Sequence, residues 1–135
     1  MILIDTSAVV AIENSNDQHH ASASKFFANK SSSVRWCSVN VTAHEAYTYT
    51  RYKNFSVARA IEHYDFLRAG TVQLLSFIPE DEAETRKLLL RYHDQKLSFH
   101  DVLCASVMLR VGIFKVFTFD KDFRILGFEV VPGVI

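Results

Sequence analysis

The sequence predicts a three-layer α/β/α domain, with helices on both faces of a mostly parallel sheet of roughly five strands. Strand-like runs alternate with helical patterns along the chain, as crossover units require. Runs such as "ILI" and "KVF" are continuous rather than alternating, as in strands covered on both faces. Acids also stand where strands end. Open sheets of this kind bind ligands beyond their carboxyl ends, at a switch in strand order.

The elements follow in chain order. A strand over residues 2–5 stops on Asp5, and a helix over 7–13 follows it. A helix over 20–28 leads through the Ser-rich "NKSSSVRW" to a strand over 34–39. Helices over 42–52 and 56–69 precede a strand over 72–76. A helix over 80–92 carries acids in its first turns and bases later, which suits the helix dipole. A helix over 99–111, a strand over 115–118 and a strand over 128–131 complete the pattern. There is no internal repeat or linker, so residues 1–135 read as a single domain.

Composition narrows the function. Apolar content of 49% and charged content of 22% fit a globular protein with a sizeable core. Basic and acidic residues balance at 15 each, which argues against wholesale electrostatic binding to nucleic acid. A local basic patch beside an acidic site remains compatible with that balance. Cys37 and Cys104 lie in apolar stretches outside any CxxC pair and read as buried free thiols. The first apolar run ends too early at Asp5 for a signal peptide, and no run is long enough to span a membrane. A cytoplasmic location is expected.

Four carboxylates carry the chemistry, and each also has an ordinary structural role. Asp5 suits an N-cap. Thr42-x-x-Glu45 and Ser98-x-x-Asp101 both fit capping boxes. Asp120 and Asp122 suit a turn or the cap of a short helix. The joint pattern is harder to explain structurally. Asp5 and Asp120 end two strands, while Glu45 and Asp101 open two helices, and in a parallel sheet these places converge on one rim. Acids gathered there repel each other unless a cation neutralises them. Oxygen donors favour Mg²⁺ or Mn²⁺ over zinc. His44-Glu45 begins a zinc-protease motif, but Thr48 stands where the second His is needed.

"LIDTSAVVA", "TAHEA", "LSFHDVLCASVM" and "VFTFDKDF" together resemble the PIN-domain family of nucleases, most of all the VapC-like toxins of toxin–antitoxin pairs. The resemblance spans nearly the whole chain with the acids in the family's order. It implies metal-binding and catalytic roles for Asp5, Glu45, Asp101 and Asp120. It implies supporting roles for Thr6, Ser7, Thr118 and Asp122. The implied reaction is Mg²⁺- or Mn²⁺-dependent hydrolysis of RNA, leaving 5′-phosphate and 3′-hydroxyl ends. A cognate antitoxin and a homodimer are implied as partners. The polar stretch "YTYTRYKNFSVARA" lies where these toxins vary most, so it leaves substrate choice open.

Arg51, Lys53 and Arg59, interleaved with Tyr47, Tyr49 and Tyr52, are candidates to hold phosphates and stack bases; a solvated basic face fits them equally. The six histidines share no ligand spacing; His100 adjoins Asp101, which allows a substrate contact, but a surface place is expected. Phe26, Phe27, Phe55 and Phe66 are expected in the core or an interface. A phospho-receiver domain needs paired acids after its first strand and a late Lys, and both are missing. A dehalogenase-type phosphatase needs Asp-x-Asp, where this chain has Asp5-Thr6-Ser7. The remaining alternatives are an RNA-processing nuclease without an antitoxin and a non-catalytic binding domain.

Overall fold

Leu3 faces one apolar layer while Ile2 and Ile4 face the other, and the fold is built on that alternation. The structure, a computed structural model, describes residues 1–133. The chain runs β1 (Ile2–Ile4), α1 (Thr6–Glu13), α2 (His20–Lys30), β2 (Trp36–Val39), α3 (Thr42–Tyr52) and α4 (Val57–Arg68). It continues with β3 (Val72–Leu75), α5 (Pro79–Arg91), α6 (Phe99–Val111), β4 (Lys115–Phe117), α7 (Asp122–Ile125) and β5 (Glu129–Val131). The strands form one sheet in the order β3-β2-β1-β4-β5, with every pairing parallel.

Two cores flank the sheet. One joins Ile2, Ile4, Trp36 and Phe117 to α1, α2, α3 and α4 through Val9, Ala23, Ala43 and Leu67. The other joins Leu3, Cys37, Val39 and Val116 to α6 and α7 through Ala105, Met108 and Phe123. Small residues on α1 and α6 let both helices lie close to the strands. The three-layer expectation is met. Phe26, Phe27 and Phe66 pack against the first core, also as expected. Cys37 and Cys104 are buried free thiols, and burial pushes Cys37 up to about 12. Among the described residues, no helix is long and apolar enough to cross a membrane.

The chain winds from β1 outward to β3, then crosses back to β4 on the other side of β1. The strand order therefore reverses between β1 and β4, which places a crevice beyond their carboxyl ends. The amide of Asp5 donates to the carbonyl of Phe117 at 3.0 Å and ties the two strand ends together.

One acid of the α5 cluster does more than complement a dipole. Asp81 is buried, with its side chain 2% exposed, and accepts from Arg110 Nε and Nη2, both at 2.9 Å, and from the Ile78 amide at 2.9 Å. Burial alone would raise the Asp81 carboxyl, but Arg110 and the amide outweigh it and hold it below the usual range. Asp81→Ala removes both the cap on α5 and the tie to α6. It is expected to cost about 2 kcal/mol in urea unfolding at neutral pH. The wild-type advantage should fade as pH drops through the lowered carboxyl value, because protonation ends the pairing. A loss that stays constant down to strongly acid pH would rule out the ion pair as its source.

Candidate functional site

Asp5 occupies the N-cap position of α1, yet its side chain makes no capping bond. This corrects the cap expectation. The carboxylate turns to the crevice instead, where Oδ2 accepts from Thr118 Oγ1 at 3.0 Å and Oδ1 has no partner. Asp5 is only 3% exposed, so an unpaired oxygen there is costly. Burial, then the charge of Asp101, push its carboxyl up to about 7; His100 works in the other direction, and Glu45 adds to the rise.

Two hydroxyls, of Ser7 and Thr118, reach this acid in series. Since Thr118 donates to Asp5, Ser7 Oγ must donate to Thr118 Oγ1, 3.0 Å away. Ser7 Oγ then accepts from the Phe119 amide, and Thr118 Oγ1 from the Asp120 amide, each at 3.0 Å. The turn after β4 is thereby fixed to the end of β1.

Glu45 is not the second half of a capping box. Helix α3 begins at Thr42, with Val41 in the cap position, so Thr42 points inward and cannot cap. Thr6 Oγ1 donates to Glu45 Oε1 at 2.5 Å, which draws Glu45 toward β1. Asp101 follows its predicted cap, with its amide donating to Ser98 Oγ at 3.0 Å. Asp120 forms a turn in which Oδ1 accepts from the Asp122 amide at 2.9 Å. Burial, then the charges of Asp120 and Asp101, raise the Asp122 carboxyl.

His100 corrects a second expectation. Its ring lies inside the cluster with the side chain only 13% exposed, and Nδ1 sits 2.7 Å from Glu45 Oε2 and 3.1 Å from Asp101 Oδ1. Burial works against the charged ring, but hydrogen bonds with Asp101, Cys104 and Glu45 outweigh it and hold His100 above its ordinary value. Adjacency to Asp101 in sequence gave no hint of this, because Glu45 and Thr42 approach from another helix.

Single ligand atoms of Asp5, Glu45, His100 and Asp101 all lie within 4.8 Å of one another, and those of Asp101, Asp120 and Asp122 form a second such group. Carboxylate oxygens dominate both sets, and Asp5 Oδ1 is buried without a donor. The residues thus fit a divalent cation. A cleft of about 670 Å³ opens over Asp5, Glu45, Asp101 and Asp120, lined also by Tyr49, Tyr52, Phe119 and Lys121. Tyr49 and Tyr52 follow Glu45 at i+4 and i+7, so helical spacing alone places them on its face. Tyr47 instead lines a separate apolar groove with Tyr64.

The predicted basic residues are only partly beside this cleft. Lys53 Nζ stands 5.4 Å from the Tyr49 ring centre. Arg51 Nη1 donates to the Phe55 carbonyl at 2.8 Å, and Arg59 pairs with Glu62 at 3.1 Å. Neither arginine lines the cleft. Lys121, in the turn after β4, was not among the predicted bases.

Solved structures share this architecture. VapC20 of Mycobacterium tuberculosis, described as a sarcin-ricin loop cleaving toxin, superposes with a TM-score of 0.86 at 24% identity, over 95% of this chain and 96% of its own. A chain of VapBC2 from Rickettsia felis, solved bound to a DNA fragment from its promoter, superposes with a TM-score of 0.71 at 16% identity, over 96% and 97%. No curated protein sequence matches. The PIN domain family profile matches residues 2–129, and with the fold and the converging acids this shows that the chain belongs to the PIN-domain family.

Proposed function

We propose that this protein is a metal-dependent endoribonuclease acting as the toxin of a toxin–antitoxin pair, with residues 1–135 working as a single domain in the cytoplasm. The observation that carries the reading is the buried Asp5 carboxylate, which faces Glu45 and Asp101 at the strand-order switch with one oxygen unpaired. Asp5, Glu45, Asp101 and Asp120 would hold Mg²⁺ or Mn²⁺. When bound, the ion supplies a hydroxide nucleophile and offsets charge building on the phosphate.

The chain's own residues do the rest. Thr118 and Ser7 fix the Asp5 carboxylate, and Thr6 fixes Glu45, so both acids are held at the crevice. Tyr49 and Tyr52 give flat faces for bases above the acids. Lys53 and Lys121 give the phosphates a positive rim. A cognate antitoxin would hold the enzyme inactive, and a homodimer is the expected assembly. The toxin role draws support from the likeness to VapC20 and VapBC2.

The test is incubation of the purified chain with structured RNA in Mn²⁺ or Mg²⁺, followed by mapping of the cut ends. Cleavage that leaves 5′-phosphates and stops with chelator is expected. Cleavage that survives chelator removes the metal from the mechanism, and intact RNA in both metals leaves a binding-only domain. Co-purification with a small DNA-binding protein would support the toxin role over a free-standing nuclease.

Lys53→Glu combined with Lys121→Glu should weaken RNA binding about tenfold at low salt and flatten its salt dependence. Mn²⁺ should still bind, because no proposed ligand is altered. Unaltered RNA affinity in a filter-binding assay would take this rim out of the substrate path.

A further inference from the structure

His100 stands among the acids in a way that an all-oxygen centre does not require. We infer that His100 Nδ1 is itself a metal ligand, and that the centre therefore favours Mn²⁺ over Mg²⁺. This rests on the metal-nuclease reading and deepens it by naming a nitrogen donor and its consequence for ion choice.

The spacings are those of hydrogen bonds, and they also suit a coordination sphere. Nδ1 lies 2.7 Å from Glu45 Oε2 and 3.1 Å from Asp101 Oδ1. Adjacent ligands of an octahedral ion with bonds of about 2.1 Å stand about 3 Å apart. Nitrogen and both oxygens therefore already lie near the edges that such an ion would span.

The ring's other nitrogen is held as a ligating histidine requires. Nε2 is 2.9 Å from Thr42 Oγ1 and 3.6 Å from Cys104 Sγ. Thr42 is fully buried, so this contact is protected from water. In the metal-free site Nδ1–H donates to the two acids; a cation taking the place of that proton would meet the Nδ1 lone pair, with Nε2–H donating to Thr42. A lone solvated histidine would need no such support. The inward turn of Thr42, which removes it from its predicted cap, gives it this role.

A second observation is independent of the ring. The buried Asp5 Oδ1 lacks any donor in the same cluster. An imidazole already bonded to two acids does not satisfy it, whereas a cation shared by all four residues would. Imidazole nitrogen suits first-row transition ions, while Mg²⁺ prefers oxygen alone.

The experiment uses the full chain and Mn²⁺ alone. Pulsed electron paramagnetic resonance of bound Mn²⁺ should show coupling to a directly bonded nitrogen. Growth on histidine carrying the heavy nitrogen isotope should change that coupling, a measurement that needs no variant. His100→Phe should abolish it and lower the preference for Mn²⁺ over Mg²⁺ about tenfold. Thr42→Val should keep the coupling and weaken Mn²⁺ binding about tenfold, as expected of a positioning residue. Mn²⁺ that binds without nitrogen coupling, or with coupling that persists in His100→Phe, overturns the ligand and leaves the metal centre standing. Failure of Mn²⁺ to bind at all overturns both.

Discussion

Asp5→Asn is expected to lower the proposed metal-dependent RNA cleavage on the order of 10³-fold and, in chelator, to make the folded protein more stable at neutral pH. The opposite signs are what distinguish a ligand from a structural acid. Asp5 is 3% exposed and faces Asp101 and Glu45, so its charge is costly when no cation is bound. Its carboxyl is raised from 3.8 to about 7. A proton is therefore held in the folded state at pH values where the unfolded chain has released it. The Asp5 contribution to metal-free stability should be fully present below about pH 4, be lost as pH rises through the window up to about 7, and level off above it. A rise of about three pH units corresponds to on the order of 4 kcal/mol over that window. Asn carries no charge, so the variant should lose this slope and melt roughly 10–20 °C higher than wild type in chelator at pH 8. Saturating Mn²⁺ should then raise the melting point of wild type far more than that of the variant. If Asp5→Asn instead melts lower and still cleaves, Asp5 belongs to the scaffold.

The same residue shows how far sequence reaches. An acid after a short apolar run can be read from the chain, and so can the parallel sheet that brings Asp101 and Asp120 to it. Local periodicity sets those features, and the observed helices α3 and α6 match their predicted spans. Side-chain direction at a helix start is different. Thr42-x-x-Glu45 fits a capping box by spacing, but Thr42 is the first residue of the helix, not its cap, and its side chain turns toward His100. Nothing local to "TAHEA" encodes that turn, because the partner lies 58 residues away. Asp81 is a parallel case: its place among first-turn acids is visible, while its pairing with Arg110 depends on how α5 packs across α6. Patterns of period and capping are local, whereas these contacts arise only when layers meet.

Phe117→Ala carries the largest expected loss of stability. Phe117 is fully buried in the middle of the first core, with ring centres of Phe26 at 4.9 Å, Trp36 at 5.7 Å and Phe119 at 6.0 Å. It pairs with Ile4 on β1 and Val131 on β5. Truncating such a ring costs about 3–5 kcal/mol, from lost burial and the cavity left behind. A domain with about 5–15 kcal/mol in total is brought close to its limit, and the midpoint should fall by roughly 10–20 °C. Phe117→Leu keeps most of the volume and should cost about 1–2 kcal/mol. Phe114, 67% exposed before the same strand, is the control, and Phe114→Ala should cost less than about 0.5 kcal/mol. Equal losses at the two positions would contradict the layered packing. The damage should also reach the site, since Thr118 follows Phe117 directly and donates to Asp5. Below its midpoint, Phe117→Ala should bind Mn²⁺ more weakly than wild type although it loses no ligand atom. Phe117→Leu should bind it nearly as well, because a filled core keeps the end of β4 in register with the end of β1.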